Sequence, residues 1–205
     1  MARSIRTCMP APFRTVRCAD SGGFGNNAAV PVGPRVIAAV VCAFLLAPSA
    51  GAGVSARPAK AAELLRLDAR VLEEVNAVRA SHGLSTVQLS GALAAAAGQH
   101  SMEMVLDGYF AHDGMRASYS RRLAAYYPRA RHRRWTVAEN LVWGSPSIGA
   151  REAVRLWLHS PEHRANLLRP GWRDAGISAV HAQAAPGVFQ GLDVTVITLD
   201  FGRRR

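Results

Sequence analysis

The sequence predicts an α+β fold, with helices leading and an antiparallel sheet closing the chain. Three observations lead there. Several segments between residues 64 and 158 carry apolar side chains every three or four positions, the period of an amphipathic helix. Beyond Asp174 the pattern changes: residues 175–180 and 188–201 are rich in Val, Ile, Thr and Phe, with Ala-Ala-Pro-Gly between them, which marks a hairpin. A chain of 205 residues with 49% hydrophobic content accommodates one good-sized domain plus a targeting segment, and it can bury a real core. Helices followed by strands pack in an α+β or three-layer arrangement, and no internal repeat breaks the order.

Residues 53–63 read as a linker ahead of a domain spanning 64–205. Leu64, Leu67, Val71, Val75 and Val78 form the apolar stripe of a first helix, with Arg66, Arg70, Glu73 and Arg79 between them and Gly83 placed to end it. Ser90 can cap a second helix, marked on one face by Leu93, Ala97 and Met104 and stopped by Gly108. A shorter third helix runs from Tyr119 to about Tyr126, ahead of Pro128. Residues 138–143 (AENLVW) read as a short strand. Helical spacing returns over 150–158 through Val154 and Trp157, and Pro161 closes that helix. Trp143 and Trp157, set among periodic apolar neighbours, read as core.

Residues 1–52 read as a leader and secretory signal peptide. The apolar run Val36–Leu46 has Arg35 before it and Ala50-Gly51-Ala52 after it, the pattern of a basic flank, a short apolar core and a small-residue cleavage site. The run falls short of the about 20 apolar residues that a membrane span needs. Residues 1–34 are long for a leader and point to a start assigned too far upstream. Cys8, Cys18 and Cys42 all fall within this segment, so the mature chain has no disulfide or thiol chemistry. The product is expected outside the cell or in its envelope.

The net charge of +11 comes from 25 Lys and Arg against 14 Asp and Glu. Its excess gathers in Arg121–Arg134 and Arg203–Arg205, runs that are usually solvated and that suit anionic headgroups or cell-wall polymers. Nucleic acid is not indicated as a specific partner: zinc-finger spacing, an RNA-binding sheet signature and heptads behind a basic region are all missing.

Three segments place ionisable residues at Gly-, Pro- or Asn-marked junctions, where scaffolds present functional groups. They hold His112, Glu139 and His163. The string His159-Ser-Pro-Glu-His163 matches the H-x-x-E-H zinc-protease pattern. That chemistry needs one continuous helix, and Pro161 breaks it, so the protease reading is set aside.

In combination these motifs are specific. Phe-Ala-His112, Ala-Glu139-Asn140 with Trp143-Gly144, and Trp157 followed by Ser160-Pro-Glu-His163-Arg164-Ala-Asn166-Leu resemble the bacterial branch of the CAP superfamily. This is the SCP-like domain of cysteine-rich secretory proteins, antigen 5 and the plant pathogenesis-related group. Asn76-x-x-Arg79, Asp174-Ala-Gly-Ile-Ser and Asp200-Phe-Gly fit as well, and the resemblance covers about residues 68–202. It implies a three-layer α-β-α sandwich with a central antiparallel sheet, and a groove lined by two histidines and two acids. His112 and His163 fall on the histidine positions and Glu139 on one acidic position. Ser160 stands on the other, which puts any two-carboxylate mechanism in doubt.

Two imidazoles beside a carboxylate can hold zinc or another divalent cation through His112 and His163, or form a metal-free hydrogen-bonded network. Asn140, Ser160, Arg164 and Asn166 join them as candidate ligand-binding residues, with Arg164 and Asn166 expected to structure the loop presenting His163. Three functions follow, in this order: a module binding a lipid, sterol-like molecule or cell-wall polymer; an envelope-docking element using Arg121–Arg134; and a metal-assisted hydrolase in which Glu139 accepts a proton from metal-bound water.

Overall fold

A computed structural model describes residues 5–7, 56–129 and 134–205. Of the leader read at 1–52 only residues 5–7 are described; its apolar run at 36–46, and residues 130–133 of the Arg121–Arg134 segment, lie outside the described residues. The first helix, α1 (Ala56–Ser81), begins upstream of Leu64 and takes in most of the segment read as a linker. Alanine, the strongest helix former, dominates there, and Pro58 falls in the first turn, where a missing N–H costs little. Val71 and Val75 are fully buried. So is Arg79, which the sequence pattern put among the polar positions. Its Nε donates to Ser85 O at 2.9 Å and its Nη1 to Leu167 O at 2.7 Å, so backbone carbonyls replace water around the guanidinium.

The second helix, α2 (Gly91–Asp107), has the expected ends. Ser90 Oγ accepts from the Leu93 N–H at 3.4 Å, and Gly108 closes the helix in the left-handed region at φ 70°. A third helix, α3 (Tyr119–Tyr126), follows. Next come α4 (Ala150–His159) and α5 (Pro161–Leu167). Pro161 ends one helix and opens the next, because Ser160 between them is extended and proline needs no N–H partner at a first helical position. His159 is therefore exposed and bonded to Arg155 O, apart from the buried His163, consistent with setting the protease pattern aside.

One sheet runs in the order β1-β3-β5-β4-β2, with β1 (Ile5–Thr7), β2 (Gln88–Leu89), β3 (Trp135–Gly144), β4 (Asp174–Ala185) and β5 (Leu192–Arg204). The three long strands are antiparallel, as expected, and the two-residue β2 joins β4 in parallel, making the whole sheet mixed. Asn76 sets β2 in place: its side-chain amide donates to Val87 O at 3.0 Å and accepts from Val87 N at 2.8 Å.

Strand alternation divides the core in two. Ala138 and Val142 of β3 and Ile197, Leu199 and Phe201 of β5 face α1, α4 and α5, packing with Val71, Val75, Val154, Trp157 and Leu167. Leu141, Trp143, Val194 and Val196 face the opposite way, onto Met104 and Val105 of α2. The result is a three-layer α-β-α sandwich. Gly176 allows the closest approach between layers: a Cβ there would stand 2.1 Å from the Ala94 nitrogen, so only glycine lets the start of α2 lie against β4.

Candidate functional site

Glu139 sits on the β3 face that looks toward α2 and α3, and it is almost wholly buried. A buried carboxylate needs partners on both oxygens, and the fold supplies them. His112, in the loop between α2 and α3, donates from Nδ1 to Glu139 Oε1 at 2.8 Å. Arg122 reaches Oε2 from α3 in a very short ion pair, and its other terminal nitrogen donates to His112 O at 3.2 Å. Arg122 therefore balances the charge and holds the backbone that carries His112. This corrects one part of the sequence reading: Arg122 is 4% exposed and faces inward, so it does not belong to a solvated Arg121–Arg134 surface.

Two further residues join the cluster: His100, which nothing in the sequence singled out, and Asp200, which stood there only as part of the Asp-Phe-Gly motif. His100 of α2 is fully buried, with Nε2 2.9 Å from Ala111 O and 3.8 Å from Glu139 Oε1. Burial lowers its pKa more than the nearby carboxylate raises it, which keeps the ring neutral. Asp200 lies directly across from Glu139 on β5, and neither of its oxygens meets a hydrogen-bond donor of good geometry. Complete burial, then the Glu139 charge, push its pKa well above 3.8, which favours the protonated form. The cluster thus holds a second carboxyl group, from β5 and not from the Ser160 position.

His163 approaches from the opposite layer. It belongs to α5, and its ring centroid lies 6.4 Å from that of His112, beside β3. Ser160 Oγ is 2.8 Å from its Nδ1. Its Nε2 is buried and has no hydrogen-bond partner. Burial, and secondarily His112, push its pKa down to about 4, leaving a neutral imidazole. Asn140, which is fully buried, donates to His163 O at 3.0 Å and accepts from Asn166 at 2.9 Å, while Asn166 also donates to Glu139 O at 3.3 Å. These two amides clasp α5 to β3 and so fix His163 relative to Glu139. Arg164 is exposed, and its side chain makes no hydrogen bond in the cluster.

The spacing of α3 was the available signal for Arg122, since it shares a helix face with Tyr119 and the buried Leu123. Nothing local marked His100, because its role depends on a strand far away in sequence.

A divalent cation such as zinc fits the donor set in part. Glu139 occupies His112 Nδ1, which leaves Nε2 as the free lone pair; this carboxylate–imidazole arrangement is the one that orients metal-bound histidines. His163 offers a second nitrogen without a partner. That makes two protein ligands where catalytic zinc sites have three, and among the described residues no group of three His, Cys, Asp or Glu is placed to hold an ion. A cavity of about 220 Å³ adjoins the cluster through Arg122, with Gln99, Glu103, Arg116, Arg121 and Tyr126 in its walls.

A family model, that of the cysteine-rich secretory protein family, matches residues 72–197. Among solved structures the chain is similar to an extracellular SCP-domain protein of Bacillus anthracis, with 23% identity and a TM-score of 0.49 over 65% of this chain and 39% of that one. An outer surface protein of Borrelia burgdorferi is 18% identical, with a TM-score of 0.47 over 66% of this chain and 90% of that one. A cysteine-rich secretory protein of Staphylococcus aureus is 18% identical, with a TM-score of 0.46 over 68% of this chain and 39% of that one. The chain thus spans about two fifths of the Bacillus and Staphylococcus structures. No curated protein matches it. Among the described residues no helix is long and apolar enough to cross a membrane.

Proposed function

This chain belongs to the cysteine-rich secretory protein (CAP) family, and we propose that it is an extracellular binding module whose ligand is a lipid-like or sterol-like molecule or a cell-envelope component, held at the His112–Glu139–His163 cluster. The observation that carries this reading is the state of the carboxyl groups. Glu139 is engaged on both oxygens, by His112 and Arg122, and Asp200 is fully buried with its pKa pushed well above 3.8. Glu139, the group that would accept a proton from metal-bound water in a hydrolase, has both oxygens already committed to His112 and Arg122. What remains are hydrogen-bonding imidazole edges: the Nε2 of a partly exposed His112 and the unpartnered Nε2 of His163. A ligand hydroxyl meets that need, since it can donate to one ring nitrogen. Secretion of the mature chain accords with the signal-like leader and with the extracellular relative.

A second reading is favoured by the same orphaned nitrogen of His163: a cation bound by His112 and His163, supplying Lewis acidity when present. In that case Glu139 and Ser160 orient the two rings and Arg122 holds the His112 backbone. Docking to acidic envelope polymers through the Arg121–Arg134 segment, in which Arg121, Arg129 and Arg134 are exposed and Arg122 is not, is a further proposal.

The deciding experiment compares wild type with His112→Ala/His163→Ala by elemental analysis and by calorimetry against sterol, phospholipid and cell-wall fractions. Saturable binding that disappears in the variant and survives chelation supports the module. Stoichiometric zinc lost in the variant moves the conclusion to the second reading. An absence of saturable binding to every fraction by wild type overturns the first.

A further inference from the structure

At the end of the sheet where β4 begins and β5 finishes lies a cavity of about 320 Å³, roughly ten times the 30 Å³ share of one water. Its walls include Ser85, Thr86, Gln88, Arg173, Asp174 and Arg205, none of which belongs to the histidine cluster. The charge around it is one-sided. Arg134 and Arg205 meet there through paired backbone hydrogen bonds of 2.8 and 3.0 Å. Arg169 lies over the Trp172 ring at 5.2 Å. Arg203 lies against Gly171, where a Cβ would come within 2.4 Å of its Nη1, and its Nε is covered without meeting an acceptor. None of these five arginines (134, 169, 173, 203, 205) forms a salt bridge with a carboxylate among the described residues. The one acidic side chain in the wall, Asp174, already accepts a hydrogen bond from Tyr127, on which Arg204 stacks at 3.8 Å.

Like charges held this close repel, and a fold that keeps them together leaves an attractive potential for an anion. The positive field of Arg205, Arg134, Arg173 and Arg169 acts on Arg203, whose pKa is lowered first by the covering of its Nε and then by those neighbours. Guanidinium groups present a fork that matches tetrahedral oxyanions, and the exposed side chains of Ser85, Thr86 and Gln88 offer further polar groups in the same wall. A multiply charged anion relieves more of the repulsion than a single carboxylate does. We propose that this cavity, between Arg173 and Arg205, is a binding site for a phosphate group, carried either by a lipid headgroup or by a soluble or polymeric phosphate.

The test uses the full chain and pyrophosphate as probe, read by calorimetry at low and moderate salt. The expected result is one saturable site, weakened at least tenfold in Arg173→Gln/Arg205→Gln. Arg66→Gln, on the exposed side of α1, and His112→Ala/His163→Ala should leave it unchanged. Both cavity arginines are exposed, so the double variant should keep the wild-type melting temperature. Competition by phosphatidylglycerol vesicles, but not by phosphatidylcholine vesicles, identifies a lipid headgroup as the source; pyrophosphate binding without vesicle binding identifies a soluble or polymeric one. Absence of saturable binding, or an equal loss in Arg66→Gln, overturns the proposal.

Discussion

Glu139 and Asp200 occupy directly opposed positions on β3 and β5, so two carboxyl groups meet on one dry face of the sheet with one guanidinium, Arg122, bonded to the first. A single cation at this site compensates a single anion. The physical outcome is that protonation of Asp200 is favoured, because ionising it would place a second charge where neither oxygen has a donor.

A pH signature follows from that proton. The folded-state pKa of Asp200 is raised above its unfolded value of 3.8, so its contribution to stability is complete below about pH 4 and is lost as pH rises toward the folded pKa. Asp200→Asn mimics the neutral acid. Thermal melts from pH 5 to 9 should show the variant losing less stability than wild type toward the alkaline end. A variant several degrees less stable at pH 9 would mean that Asp200 carries a charge after all.

His163 runs the opposite way. Its folded pKa of about 4 lies below the ordinary 6.5, so its contribution is complete above about pH 6.5 and falls away as pH drops toward 4. In proton NMR the His163 ring signal should stay constant from pH 8 to 5, a window in which an exposed histidine titrates. Movement of that signal near pH 6.5 would place the ring in solvent.

Removing one member of the Glu139–Arg122 pair strands the other. Glu139→Gln should cost about 3–5 kcal/mol in urea unfolding, the usual penalty for breaking a buried pair. Glu139→Gln/Arg122→Met should cost less than the sum of the two single variants. Additive losses would show that the two side chains do not depend on each other.

Asn76→Ala removes both hydrogen bonds to Val87 and leaves the polar groups of that residue without their partner. The expected loss is about 1–3 kcal/mol, with faster amide exchange at Val87 and along β2. Unchanged exchange there would mean that β2 is held by its pairing with β4 alone.

Much of the fold was legible from periodicity and punctuation. Ser90 and Gly108 bounded α2 because capping and left-handed closure depend on neighbours three or four residues away. Pro161 likewise marked the break between α4 and α5 from its own covalent geometry. The start of α1 was misplaced because an alanine-rich segment has high helix propensity but shows no amphipathic stripe.

The sequence by itself determined the succession of the first four helices and the three long strands, the α+β class, the family resemblance and the three side chains His112, Glu139 and His163, since each is written in local spacing or in a contiguous motif. Only the tertiary structure decided that Arg79 and Arg122 are buried, that His100 and Asp200 complete the cluster, and that the arginines at 169, 173, 203 and 205 gather at one end of the sheet. The reason is physical. Helix and strand periods are set by neighbours along the chain, whereas burial and charge state are set by groups that packing brings together from distant segments.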